Sequence, residues 1–320
     1  MITTVDYHTA GEPFRIVTGG VEPLRGDTIL AKRRDALERL DDVRQLLVFE
    51  PRGHADMYGC HVVEPNDEGA DLGVVFFHNA GYSTACGHGT IALVTWALDS
   101  GVLPRSEGEQ RVVVDVPSGR LETWARVEDG RVVSVRFRNV PSFVWATGLQ
   151  AAGKTVDVSY GGAFYASCRE RVEAPELPRL IELGRAVKRD LEAAHDIVHP
   201  LEPELRDVYG VIFWQPEDGD GVTYRNVTVF ADGEVDRSPC GSGTTARLAL
   251  LDASGELPFG DELRHLSIIG TQFTGRAVGH TEVAGLSAVL TEVEGSAFRT
   301  GEASFSLDPD DELGTGFLLR

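Results

Sequence analysis

Apolar and polar positions along the chain alternate in short strand-like runs, interrupted by a few helical ones. From Asp27 to Leu47 the spacing of Leu30, Leu37, Leu40 and Val43 predicts a mostly helical segment. Strand-like runs follow at His61–Val63 and Leu72–His78, then a Gly-containing turn over 79–83. Thr90 to Leu98 is an apolar run long enough for a buried helix, with Gly101 at a C-cap position. Three strands are predicted next, Arg111–Val116, Arg120–Val127 and Arg131–Phe137, with turns at Pro117-Ser118-Gly119 and Asp129-Gly130.

The second half has the same style. Thr155–Tyr160 reads as a strand leading to Gly161-Gly162 and the aromatic pair Phe164-Tyr165. Pro178 to His195 reads as a helix, with Pro178 in the first turn and Leu180, Leu183, Val187 and Leu191 on one face. Asn226–Phe230 is strand-like and turns at Asp232-Gly233. Thr244 to Leu251 is a second apolar helical run, and the C-terminus is again strand-rich. Pro216 to Gly221 is an acidic loop expected to face solvent.

One self-match organises this pattern. Cys86-Gly87-His88-Gly89-Thr90 recurs as Cys240-Gly241-Ser242-Gly243-Thr244, about half the chain further on. The echo continues through Ala92 and Ala246, Ser100 and Ser254, Gly101 and Gly255. Each copy is a turn, a Cys-Gly-x-Gly-Thr segment, an apolar helix and a closing Gly. Gly-rich helix starts are common, but this much agreement favours a pseudo-symmetric pair of domains over coincidence.

Composition narrows the function. The chain has 320 residues, with 30 Lys+Arg against 50 Asp+Glu, a formal net charge of −20. That balance argues against nucleic acid or an anionic membrane as the main partner, since both require a basic footprint. No apolar stretch approaches a membrane span, and the N-terminus lacks the pattern of a secretion signal, so a cytoplasmic location is expected. In that setting the four cysteines, Cys60, Cys86, Cys168 and Cys240, are expected to be reduced thiols.

The echoed cysteines carry the chemistry. A Cys at a helix N-terminus faces unpaired backbone N–H groups and the positive end of the helix dipole. Both favour thiolate, so a pKa lowered toward neutrality is expected for Cys86 and Cys240. The glycines let the backbone approach a ligand, and the same amides suit a carboxylate. Two such units facing each other across a cleft would put a thiol on each face of a small carboxylate. One thiolate would take the α-proton while the opposite thiol returned one, inverting a stereocentre without a cofactor.

Competing readings are weaker. Cys60 and Cys168 read as buried and inert. A zinc site from Cys86, His88 and Cys240 lacks an evident fourth ligand and a usual spacing, so no metal is expected. A Cys86–His88 nucleophile pair is disfavoured by a two-residue spacing on a helix start. Gly148 to Thr155 matches the P-loop pattern, but the strand-like Val156–Tyr160 after it reads as a hairpin. Pyridoxal chemistry needs a lysine, and none of Lys32, Lys154 and Lys188 has a persuasive context.

At these motifs the chain resembles the proline racemase family, which includes hydroxyproline epimerases and trans-3-hydroxy-L-proline dehydratases. The resemblance spans essentially the whole chain: Asp6 to Pro13, Glu50 to His54, Cys86 to Thr90, Tyr160 to Tyr165, and most specifically Asp236-Arg237-Ser238-Pro239-Cys240-Gly241-Ser242-Gly243. It implies an α/β (α+β) fold of two pseudo-symmetric domains, each a curved, mostly antiparallel sheet wrapped around a central helix, with the site between them. The expected domains are 1–138 with about 297–320, carrying Cys86, and 139–296, carrying Cys240. The resemblance implies Cys86 and Cys240 as the acid/base pair. It implies Gly87, His88, Gly241 and Ser242 as amides for the substrate carboxylate, and Asp236 as holder of the ring nitrogen. A turn or capping role is the plainer reading of Asp236, and a structural hydrogen bond that of His8 and Glu12.

The member is decided by competing signals. Pro51 to Gly59, Ala163 within Gly-Gly-Ala-Phe-Tyr, and the ending Gly316 to Arg320 resemble the dehydratases. Those enzymes usually carry Thr at the second catalytic position, where this chain has Cys240. Inversion needs an acid or base on both faces, and two thiols supply it. The expected activity is therefore C2 epimerisation of hydroxyproline, trans-4-hydroxy-L-proline to cis-4-hydroxy-D-proline. Dehydration of trans-3-hydroxy-L-proline with Cys86 as base is the alternative, and proline racemisation a third. The expected partner is a small amino acid, hydroxyproline or proline. The assembly, a homodimer among the options, is not set by the sequence.

Overall fold

A computed structural model describes residues 1–219 and 221–319. Asp220, in the acidic loop, and Arg320, in the C-terminal motif, lie outside the described residues. The chain divides into two compact units, Met1–Val135 with Ser296–Arg320, and Arg136–Gly295. The architecture is mixed and strand-rich, as the resemblance implied.

In the first unit, β1 (Ile2–Thr9) and β2 (Glu12–Gly19) form a hairpin, and the last strand, β17 (Ala297–Phe305), flanks β1 antiparallel. The chain crosses through α1 (Ile29–Arg39) and α2 (Asp41–Val48) to β3 (Tyr58–Val63), which lies parallel to β2. Next come β4 (Leu72–His78), antiparallel to β3, then α3 (Gly87–Asp99), and β5 (Gly108–Val116), parallel to β4. β6 (Gly119–Glu128) returns antiparallel and β7 (Arg131–Arg138) leads into the second unit.

The single helix expected over Asp27–Leu47 is two. Leu40 leaves helical geometry at φ −127°, closing α1 and opening α2. The Tyr82 hydroxyl reaches both Ala36 O and Leu40 O at 3.3 Å, satisfying carbonyls at the break. The helix expected from Thr90 starts three residues earlier, at Gly87. Glycines disfavour helix interiors, so the apolar pattern hid this first turn.

The second unit follows the same order. β8 (Ser142–Ala151) and β9 (Lys154–Tyr160) form a hairpin whose turn residues, Ala152 and Gly153, both have positive φ. That is a two-residue turn matched to the twist of its strands, so the P-loop-like segment is a hairpin. β10 (Phe164–Arg169) is antiparallel to β9, and α4 (Leu177–Ala194) crosses to β11 (Val208–Pro216), parallel to β10. On the packed face of α4, Gly184 takes the place expected for Leu183, because a Cβ there would lie 2.9 Å from Val229 Cγ1. β12 (Val222–Phe230) and the short β13 (Glu234–Asp236) precede α5 (Gly241–Ser254). β14 (Glu262–Leu266), β15 (Gln272–Val283) and β16 (Leu286–Gly295) complete the unit. β14 is parallel to β12, and β16 pairs back onto β8, so the ladder closes on itself.

Each unit is organised around one helix that is buried on every side, α3 through Leu98 and α5 through Leu251. A helix buried all round belongs in a core, and α5 lies in one while enclosing Arg247, whose guanidinium lies over the Trp214 ring. In the second unit α5 packs against β8, β9, β10, β15 and β16. This construction places the first turn of each helix, and its cysteine, at a fixed point in its unit.

Candidate active site

In the first unit Cys86 is the N-cap of α3, in extended conformation, and its sulfur accepts the Gly89 N–H at 3.3 Å. Gly89 is required there. A Cβ at that position would lie 2.6 Å from the Cys86 sulfur and 2.4 Å from Phe14 Cε2. The first-turn amides of Gly87 and His88 are ones an α-helix leaves without intrahelical partners. Thr9 Oγ1 donates to His88 O at 2.9 Å, tying the turn to β1. The His88 imidazole lies 3.6 Å from the sulfur and packs edge-on against Tyr58 and Phe14. Burial lowers its pKa to about 3, so it is neutral near pH 7 and adds no positive charge beside the thiol.

In the second unit Cys240 caps α5 at φ +63°, a left-handed conformation costly for a residue with a side chain. The preceding turn holds it there. Asp236 Oδ1 accepts from Ser238 N at 2.8 Å and Ser238 Oγ at 2.7 Å, and Ser238 Oγ accepts from Cys240 N at 3.1 Å. Thr244 Oγ1 donates back to Cys240 O at 2.7 Å. Gly243 repeats the role of Gly89, since a Cβ there would lie 2.9 Å from the Cys240 sulfur. The Gly241 and Ser242 amides occupy the first turn, as Gly87 and His88 do in α3. The Ser242 hydroxyl is 2.7 Å from Tyr165 Oη, which is also 3.8 Å from the Cys240 sulfur.

The electrostatics of Cys240 correct one expectation. Burial pushes its thiol well up, and the Asp236 carboxylate adds to the rise. The Gly243 amide and the Thr228 and Tyr165 hydroxyls pull the other way without overcoming it. Desolvation of the thiolate therefore outweighs the helix terminus in this state, and Cys240 rests as a thiol. Burial raises Asp236 as well, against the two Ser238 bonds that favour its charged form.

The other candidates are placed plainly. Asp236 does make the turn contacts of its plainer reading, through Oδ1. His8 Nδ1 accepts from Gly11 N at 3.2 Å and its ring lies against Phe298. Glu12 is buried. Cys60 and Cys168 are buried, and burial raises both thiols, Cys168 to about 11. Lys32 and Lys188 bond backbone carbonyls and Lys154 pairs with Glu170. Among the described residues no three of His, Cys, Asp and Glu converge as metal ligands, and no helix is long and apolar enough to cross a membrane. Sequence reasoning assigned no role to Tyr165 or Ser238. The signal for Ser238 was a hydroxyl two residues from both Asp236 and Cys240. Tyr165 had none, because its approach to Cys240 depends on β10 passing α5.

The proline racemase family model matches residues 4–318. The chain is 45% identical to the trans-3-hydroxy-L-proline dehydratase of Burkholderia ambifaria, over 100% of this chain and 98% of that protein. It is 45% identical to the 3-hydroxyproline 2-epimerase of Burkholderia multivorans, with the same coverage. The crystal structure of a hydroxyproline epimerase from Agrobacterium vitis, with bound trans-4-hydroxy-L-proline, superposes with a TM-score of 0.92 at 34% identity. That match covers 99% of this chain and 95% of the other. The chain belongs to the proline racemase family.

Proposed function

We propose that the chain is a cofactor-independent hydroxyproline 2-epimerase. One of Cys86 and Cys240 takes the C2 proton and the other supplies a proton to the opposite face. The observation that carries this reading is the repeated half-site. Each thiol heads a wholly buried helix, with a glycine three residues on that leaves room for the sulfur. The first-turn amides of Gly87, His88, Gly241 and Ser242 are suited to the substrate carboxylate and to the charge that develops as the proton leaves. Asp236, whose Oδ1 is engaged by Ser238, is assigned the ring nitrogen through its second oxygen. Cys240 as a resting thiol suits the acid, which makes Cys86 the first base acting on an L-substrate.

The two Burkholderia relatives are named for a 3-hydroxyl, whereas the Agrobacterium vitis structure binds the 4-hydroxy compound of the sequence expectation, and the dehydratase name supports a second reading. A hydroxyl on C3 is adjacent to the C2 carbanion and can leave as water, whereas one on C4 cannot leave by this route. Dehydration of trans-3-hydroxy-L-proline needs a base at C2, which Cys86 supplies, and a proton for the departing hydroxyl, which can be the one Cys86 has just taken. Proton NMR in D₂O, with trans-3- and trans-4-hydroxy-L-proline in turn, separates the two. Deuterium at C2 with growth of the 2-epimer supports the epimerase. Loss of the 3-hydroxy compound to a cyclic imine, with the 4-hydroxy compound untouched, supports the dehydratase. No deuterium at C2 and no loss of either compound overturns both.

A further inference from the structure

We propose that Tyr165 is a positioning residue for Cys240: its hydroxyl, paired with that of Ser242, holds the sulfur and follows its change of charge. The inference rests on the assignment of Cys240 as an acid/base thiol. Tyr165 and Ser242 are buried, and the Tyr165 ring is fully enclosed, edge-on to Tyr209, which stacks on Phe230. The ring therefore has one setting, with its hydroxyl 2.7 Å from Ser242 Oγ and 3.8 Å from the Cys240 sulfur. Ser242 stands two residues after the cysteine, on the first turn of α5, so the hydroxyl pair is fixed to the same turn as the thiol.

The donor count gives the pair a direction. Each hydroxyl has one hydrogen and two lone pairs. When Cys240 is a thiolate, Ser242 donates to Tyr165 and Tyr165 donates to sulfur, so both dipoles point at the charge. When Cys240 is a thiol, it donates its own hydrogen to Tyr165 Oη, which turns to donate to Ser242 instead. A hydroxyl pair that turns with the charge lowers the cost of forming a thiolate in a buried site. In the first unit the neutral His88 ring lies 3.6 Å from the Cys86 sulfur.

The test uses Tyr165→Phe, which keeps the ring and removes the hydroxyl. The first readout is alkylation of Cys240 by iodoacetamide in a Cys86→Ala background, followed by mass spectrometry between pH 7 and 9. Below the thiol pKa the rate follows the thiolate fraction. Loss of one hydrogen bond to a charged sulfur should therefore slow alkylation about 3- to 10-fold across the range. The second readout is turnover of hydroxyproline by Tyr165→Phe alone, expected to lose about 10-fold in kcat with KM unchanged. The graded variant is 3-fluorotyrosine at position 165, a stronger donor of nearly the same size, which should speed alkylation instead. Its behaviour decides the matter if the Phe variant does not fold. Unchanged alkylation in either variant overturns the proposal, as does a change confined to KM. If Cys240→Ala retains full turnover while alkylation still responds to position 165, the assignment of Cys240 fails and the Tyr165–Cys240 coupling stands.

Discussion

The two half-sites differ at the middle of a five-residue motif, His88 in the first unit and Ser242 in the second. Around that difference the units share their strand order. The sheet order runs antiparallel, parallel, antiparallel, parallel and antiparallel from β1 to β6, and again from β9 through β12 to β15. What changes is the company of the sulfur. Cys86 lies beside a dry imidazole enclosed by Tyr58 and Phe14. Cys240 lies among hydroxyls and a carboxylate, on a strained backbone. Closure differs too. The second ladder closes through β16 and β8, whereas a groove of about 800 Å³ opens in the first unit, lined by β1, α3, β7 and β17. A duplicated scaffold can thus hold two like thiols in unlike surroundings.

The largest effect should come from removing that likeness. Cys240→Thr is expected to cut epimerisation by about 10³-fold or more, because the second face loses its proton donor. Dehydration of trans-3-hydroxy-L-proline, if the enzyme performs it, should stay within a few-fold, because Cys86 still takes the C2 proton. Cys86→Thr should remove both. Deuterium exchange and imine formation read the two activities separately. Epimerisation surviving in Cys240→Thr would show that the two thiols are not the paired acid and base.

The echo made the duplication legible, because glycine and cysteine are needed in the same places twice. Gly89 and Gly243 are crowded for the same reason, the nearness of a sulfur. The apolar runs gave β4, α4 and the cores of α3 and α5. The helix break at Leu40 was not legible, since it depends on Tyr82, far along the chain, reaching its carbonyls. Nor was the direction of the Cys240 shift. A helix terminus is visible in a sequence, but the depth of burial that opposes it is set by strands from the whole unit. Tyr165 shows the same limit, as its role depends on a strand crossing rather than a spacing.

The two glycines sharpen the comparison at the level of packing. Gly89→Ala would drive a methyl into both the sulfur and the Phe14 ring, at 2.6 and 2.4 Å. Gly243→Ala meets the Cys240 sulfur at 2.9 Å and Ile212 Cδ1 at 3.1 Å, a looser fit against a flexible side-chain end. Overpacking of this kind costs about 1–3 kcal/mol, and Gly89→Ala should lie at the upper end of that range and Gly243→Ala at the lower. Urea unfolding of the two variants measures the difference. Equal losses would mean that the aromatic wall of the first unit yields as readily as the aliphatic wall of the second.

Acid stability distinguishes the middle residues themselves. Burial lowers the folded pKa of His88 from 6.5 to about 3. In the unfolded chain the ring takes its proton near pH 6.5, so between these values the unfolded state binds a proton that the folded state refuses. The stability this neutral ring permits is complete above pH 6.5 and is lost progressively as pH falls toward 3. At 1.36 kcal/mol per unit the loss reaches about 2 kcal/mol by pH 5. His61 and His265 are lowered by burial in the same way, so the whole protein should weaken in acid. His88→Phe removes only the His88 share. Its stability should fall less steeply than that of the parent between pH 7 and pH 5, while Ser242→Ala, which removes no titrating group, should follow the parent slope. Parallel curves for His88→Phe and the parent would show that the imidazole beside Cys86 takes up a proton in the folded protein, and the first half-site would then carry the positive charge that its burial argues against.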